Sequence, residues 1–114
     1  MAMITIRYCP ETGYIMLKGH ARAQENAYGH DLVCAAASAL IHTYHYAAER
    51  SGYIMEIESD KGYKMVRPDP DCHYDKRLLE MQRTVLMGFE YLARDWTDHI
   101  RMERVDGDYA RGLM

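Results

Sequence analysis

Near the N-terminus Ile4, Ile6 and Tyr8 alternate with Thr5 and Arg7, the two-residue period of a half-buried strand. Pro10-Glu11-Thr12-Gly13 follows as turn chemistry, Pro fixing one dihedral and Gly accepting positive φ, and Tyr14 to Lys18 gives a second strand hairpinned with the first. Residues 21 to 30 are small and polar, end in Gly29 and His30, and read as a loop. From Asp31 to about Arg50 the period becomes helical, with Val33, Ala36, Ala37, Leu40, Tyr44, Ala47 and Ala48 on one stripe and Gly52 just past the end. Tyr53, Met55 and Ile57 alternate with Ile54, Glu56 and Glu58 as a third strand. Ser59-Asp60-Lys61-Gly62 turns the chain into a fourth, Tyr63 to Val66.

Pro68-Asp69-Pro70-Asp71 bars a helix until about Asp75. A second helix is expected from there to about Asp98, its apolar face formed by Leu78, Met81, Val85, Leu92 and Trp96. Gly88 inside it costs about 1 kcal/mol relative to Ala, which close packing against a neighbour would explain. Ile100, Met102 and Arg104 predict a short last strand, and residues 106–114 a flexible tail after a single domain spanning 1–105. The order ββαββαβ leaves two helices with one apolar face each and a sheet that must bury one of its own. The expected fold is α+β, a two-layer sandwich of about five strands with both helices on one face.

Bulk properties narrow the function. A chain of 114 residues has room for one core. Its 48% apolar and 27% charged residues are those of an ordinary globular protein. A net charge of −3 gives no basic stripe for nucleic acid or an anionic membrane. No apolar run approaches the ~20 residues that span a bilayer, and no signal peptide is visible, so a cytoplasmic protein is expected. Cys9, Cys34 and Cys72 cannot all pair and none lies in a CxxC, which argues against a disulfide framework or zinc finger. Cys72-His73 with Cys9 lacks any recognisable zinc spacing, so neither metal nor cofactor is expected. The nine methionines read as core filler.

The stretch GHARAQENAYGHDLVCAAASAL, residues 19–40, carries the candidate chemistry. Asp31 is suited to cap the first helix, which would place Cys34 in its first turn, where unpaired amides and the helix dipole favour a thiolate. An ordinary thiol is only a few per cent ionised at neutral pH, and helix N-termini or a nearby His⁺ raise that share. His42 stands on the same helix roughly 12 Å away and cannot serve it. His20 ends the second strand just before the loop into the helix, and His30, four residues ahead of Cys34, is its rival. Ser38 lies one turn beyond Cys34 on the same face, either bonded back to the Cys34 carbonyl or orienting the site. The plain alternative is that Cys34 is a small buried hydrophobe.

The motif Gly19-His20, a loop, then Gly29-x-Asp31-Leu32-Val33-Cys34-Ala35-Ala36-Ala37-Ser38 resembles the signature of the ribosomal-processing cysteine protease family, Prp. In element order the resemblance covers most of the chain, but its specific part is residues 19–40. It implies a catalytic pair, His20 and Cys34, with Gly19, Asp31 and Ser38 in support. It also implies a homodimeric endopeptidase, acting without cofactor, that removes the N-terminal extension of large-subunit ribosomal protein number twenty-seven. The loop from His20 to Cys34 departs from the family by about two extra residues, which bears on substrate fit more than on the pair. The competing expectation is a non-catalytic ribosome-associated binding module with Cys34 packed inside. A redox role lacks the resolving cysteine such chemistry needs.

Overall fold

The computed structural model describes residues 3–19 and 28–110, without the side chains of 28–31, 108 and 110. Its strands are β1 (Ile4–Cys9), β2 (Tyr14–Lys18), β3 (Met55–Asp60), β4 (Tyr63–Pro68) and β5 (Ile100–Arg104), and its helices α1 (Tyr28–Arg50), α2 (Lys76–Asp95) and α3 (Gly107–Ala110). The five described strands form one sheet in the order β3-β4-β2-β1-β5. Every neighbouring pair is antiparallel except β1 and β5, which run parallel because α2 crosses over between β4 and β5. The α+β sandwich and the ββαββαβ order are as the sequence predicts.

One sheet face carries Ile4, Ile6, Ile15, Leu17 and Val66. They bury against Val33, Ala37, Ile41, Tyr44 and Ala48 of α1 and Leu78, Val85, Leu86, Phe89 and Leu92 of α2. Those intervals of three and four keep each helix's apolar side on the sheet. The two helices touch where Gly88 faces Leu40: a Cβ on Gly88 would lie 2.7 Å from Leu40 Cδ2. Close packing is therefore the reason for that glycine. The β1–β2 turn is tied to both helices. Tyr44 donates its hydroxyl proton to the Gly13 carbonyl at 2.5 Å. Gln82, only 1% exposed, spends both amide protons on the Cys9 and Tyr14 carbonyls at 3.0 Å each.

Several expectations are corrected. Trp96 does not lie on the helical face: α2 ends at Asp95, and Trp96 is its C-cap, donating its N–H to the Leu92 carbonyl at 2.8 Å. The Pro-rich connection holds a single 3-10 turn, Pro70–Cys72, capped by Asp69, whose carboxylate accepts from the Asp71 N–H. The α-helix proper starts after Asp75, whose carboxylate accepts from the Arg77 and Leu78 amides. In the segment expected as a tail, residues 107–110 form a helical turn. Tyr109 accepts from Arg7 Nη1 at 2.6 Å and meets the Tyr14 ring edge-on at 6.2 Å between centroids. Together with Tyr63 and Val105 it packs on a second, smaller cluster of Cys9, Tyr14, Met16 and Met65 on the sheet face away from the helices.

Candidate active site

Residues that the sequence singles out, Gly19, Cys34 and Ser38, meet at the end of the sheet where β2 finishes. A cleft of about 110 Å³ is lined by Ile4, Leu17, Gly19, Cys34, Ser38 and Gly62. Ile4 opens β1, Leu17 lies near the end of β2 and Gly19 just past it, Gly62 is the tip of the β3–β4 turn, and Cys34 with Ser38 come from one face of α1. Two side chains with usable nucleophilic or hydrogen-bonding groups thus stand one helical turn apart over the end of the sheet. Cys34 is half-buried: it rests against the main core yet lines the open cleft. A sulfur in that position is supported on one side and reachable on the other.

The glycines fix how tightly this end closes. A Cβ on Gly19 would lie 2.9 Å from Ile4 Cγ1 and 3.1 Å from Ile4 Cα, so only glycine lets β2 end so near the start of β1. The Gly19 N–H donates to the Gly62 carbonyl at 2.9 Å, extending the β2–β4 pairing beyond Lys18. His20, the next residue, lies outside the described residues, as do the side chains of His30 and Asp31.

The helix start differs from expectation. α1 begins at Tyr28, so Asp31 lies inside its first turn instead of capping it, and Cys34 falls in the second turn. One Gly, at position 29, costs about 1 kcal/mol in a helix. Extending the helix gives the amides of Leu32 to Cys34 carbonyl partners one turn back, which offsets that cost. Those amides are then committed to the helix and are not available as oxyanion donors. The macrodipole acts mainly within the terminal turn, so a second-turn position gains less from it than the first-turn position expected for Cys34.

Two other clefts are larger but hold no nucleophile of this kind. One of about 280 Å³ runs along Ile54, Met55, Pro68 and Pro70 to the buried His73. Another of about 460 Å³ lies over His42, His45, Tyr46, Glu49 and Lys64. Sequence reasoning missed this second group, because an amphipathic pattern gives no sign that Lys64 points under a helix. Lys64 is 7% exposed, and its Nζ lies 2.6 Å from His42 Nδ1 and 2.8 Å from His45 Nδ1. An ammonium can only donate, so both rings accept at Nδ1 and carry their proton on Nε2. His45 Nε2 is 3.0 Å from Glu49 Oε2, close in distance but poorly directed for a hydrogen bond. Burial, followed by the charge of Lys64, holds His42 below its ordinary pKa, and burial likewise lowers that of Lys64.

Among the described residues no group of three His, Cys, Asp or Glu could hold a metal ion. No disulfide joins Cys9, Cys34 or Cys72. None of the described helices is long and apolar enough to cross a membrane.

Comparison with known proteins bears on the fold and the family. The family model for cysteine protease Prp matches residues 1–101. The crystal structure of an essential ribosomal processing protease Prp from S. aureus, in complex with a substrate peptide, superposes with a TM-score of 0.75 at 23% identity. It covers 92% of this chain and 100% of that one. The same S. aureus protease with a covalently linked product peptide gives 0.72 at 24% identity, over 92% of this chain and 100% of that one. SMU.848 from Streptococcus mutans gives 0.74 at 22%, over 92% and 97%. No sequence among curated proteins matches. At these identities the structures establish the fold, and the family model, which spans most of the chain, establishes the kinship: this chain belongs to the cysteine protease Prp family.

Proposed function

We propose that this chain is a cysteine endopeptidase in which Cys34 is the nucleophile and His20 the general acid and base. The observation that carries the reading is the cleft: Cys34 lines it half-buried, together with Gly19, whose carbonyl carbon is bonded to the nitrogen of His20. The Cys34 thiol gives its proton to the imidazole, and the thiolate attacks the scissile carbonyl, forming a C–S bond. Collapse of the tetrahedral intermediate breaks the C–N bond as the imidazolium protonates the departing amine. Water, losing its proton to the same imidazole, then hydrolyses the thioester and restores the thiol. On this reading Ser38, one turn from Cys34 in the same cleft, orients a substrate or intermediate oxygen, and Asp31 has the supporting part that the family resemblance implies.

The substrate on this reading is the N-terminal extension of large-subunit ribosomal protein number twenty-seven, processed by a cytoplasmic homodimer without a cofactor. Support comes from the S. aureus relative, a ribosomal processing protease crystallised with a substrate peptide. The test is cleavage of a synthetic peptide spanning that extension by wild type, Cys34→Ala, His20→Ala and His30→Ala. Loss of cleavage in the first two variants and its retention in the third is the expected result. Activity in Cys34→Ala, or dependence on His30 with indifference to His20, overturns the assignment. The contact of Cys34 with the main core favours one other reading, a binding module with an inert thiol. In that case Cys34 would resist alkylation at mildly acidic pH until the chain is unfolded.

A further inference from the structure

Lys64 sits in β4 between Leu17 of β2 and Ser59 of β3, and its side chain reaches under α1. It is only 7% exposed, whereas Lys18, Lys61 and Lys76 stand in solvent. Its Nζ meets two rings of that helix, His42 Nδ1 at 2.6 Å and His45 Nδ1 at 2.8 Å. The rings converge because residues three apart share a helix face. Among the described residues this nitrogen has no third acceptor and no carboxylate within ion-pair distance. Glu49, which lines the same cleft, lies against His45 Nε2 at 3.0 Å instead.

The number of protons decides which form of the lysine this site suits. An ammonium has three N–H donors, so two rings leave one of them unmet where a full charge is already costly. A neutral amine has two N–H donors, one for each ring, and a lone pair left over. Losing the third proton therefore breaks no hydrogen bond among the described residues and removes an unpaired buried charge. Burial accordingly holds Lys64 below its ordinary pKa, with Glu49 opposing it in part. The titratable groups that line the cleft with Lys64 are His42, His45, Tyr46 and Glu49, all from α1, and its strand partners Leu17 and Ser59 do not titrate.

We propose that Lys64 is a nucleophilic amine, held by His42 and His45 at the wall of the cleft of about 460 Å³, and that this cleft takes a small uncharged carbonyl compound as a Schiff base. A desolvated lysine is a ready nucleophile toward carbonyl carbon, and the cleft has the size of a small-molecule site. Glu49 on its wall repels 2-oxo acids and other anions, which leaves aldehydes and ketones without charge. The amine adds to the carbonyl carbon, forming a C–N bond as the C–O π bond breaks, and one amine proton moves to the oxygen. The hydroxyl of this carbinolamine then leaves as water with the second amine proton, so amine and carbonyl become imine and water. The adjacent imidazoles relay both protons. None of these residues lines the Cys34 cleft, so the proposal stands apart from the protease reading.

The test is reductive alkylation of the native chain with propanal and cyanoborohydride at about pH 7, followed by peptide mapping, with the α-amino group scored separately. Only an unprotonated amine adds to the aldehyde, and an ordinary lysine is about one part in 2,500 neutral at that pH. Lys64 is expected to label at least about tenfold faster than Lys18, Lys61 and Lys76, an advantage that vanishes near pH 11, where every lysine is neutral. Glu49→Gln, a change at an exposed side chain, removes the carboxylate that favours the ammonium and should speed Lys64 alone. With glyoxylate in place of propanal the advantage of Lys64 shrinks, and Glu49→Gln restores it. Labelling of Lys64 no faster than that of the exposed lysines, or only after unfolding in urea, overturns the proposal. A preference for glyoxylate overturns the class of ligand. The ranking of the lysines in the wild-type chain decides the matter without any variant.

Discussion

Replacing Gln82 by leucine tests whether a buried amide, more than apolar contact, fastens α2 to the β1–β2 hairpin. The side chain is 1% exposed and donates to the Cys9 and Tyr14 carbonyls at 3.0 Å each. Leucine keeps much of the volume and removes both donors. Neither carbonyl is stranded. Cys9 retains the N–H groups of Gly13 at 3.1 Å and Thr12 at 3.3 Å, and Tyr14 stays paired with Cys9 across the β1–β2 ladder. Two hydrogen bonds at up to about 1.5 kcal/mol net each set a ceiling of about 3 kcal/mol. Leucine's more favourable burial offsets part of this, leaving a loss of about 2 kcal/mol. For 114 residues the unfolding entropy near the midpoint is about 0.24 kcal/mol/K, so Tm should fall by about 8 °C in calorimetry. Gln82→Glu should cost more at neutral pH, placing a carboxylate against two carbonyl oxygens, and should recover partly in acid as the protonated group regains one donor. A Gln82→Leu variant as stable as wild type would refute the reasoning, because it would mean that the two bonds contribute nothing net.

Gly13→Ala, at φ +82° with its Cβ 2.8 Å from Pro68 Cγ and 2.9 Å from the Tyr44 hydroxyl, should lose about 2–4 kcal/mol in urea unfolding at unchanged m-value. Gly88→Ala gains about 1 kcal/mol of helix propensity but crowds Leu40, so it should be destabilising alone and markedly less so in a Leu40→Ala background, a double-mutant coupling of about 1 kcal/mol or more. His42 is held below its ordinary 6.5 by burial, Lys64 and His45, so below that pH the unfolded chain binds a proton that the folded one resists. Stability should therefore fall as pH drops through 6.5, and Tm scans between neutral pH and about pH 5.5, above the carboxylate range, should be flatter for His42→Gln than for wild type. A His42→Gln profile parallel to wild type would refute that assignment.

How far the sequence carried the fold can be read from particular positions. The alternation at Ile4–Tyr8 and Met55–Glu58, and the turn residues at 10–13 and 59–62, place strands within a residue or two because period two and turn chemistry are local signals. Helix phase was harder. Ile41, Leu86 and Phe89 are buried although the expected stripes passed them by, since in a helix crossing both a sheet and a second helix the buried arc is wider than one stripe. Gln82 and Lys64 were not legible as buried at all. Their burial depends on acceptors supplied by β1, β2 and α1, which are distant in sequence. At the site, Gly19, Cys34 and Ser38 do converge on one cleft. The start of α1, at Tyr28, lies three residues ahead of the expected Asp31 because residues 21–30 read as a loop, whereas the hydrogen bonds of an added turn outweigh one glycine. Gly62 was read only as a turn residue, since its second duty, clearance for the Gly19 carbonyl, exists only once β4 is paired with β2.

The central claim is that Cys34 forms the covalent bond to substrate. The most direct measurement is mass spectrometry of the acid-quenched enzyme after mixing with an ester analogue of the peptide, whose rapid acylation lets the thioester accumulate. The account predicts one acyl group per chain, located on the tryptic peptide containing Cys34 and absent from Cys34→Ala. Product release without any acylated enzyme, or an adduct on Cys9 or Cys72 instead, would contradict it.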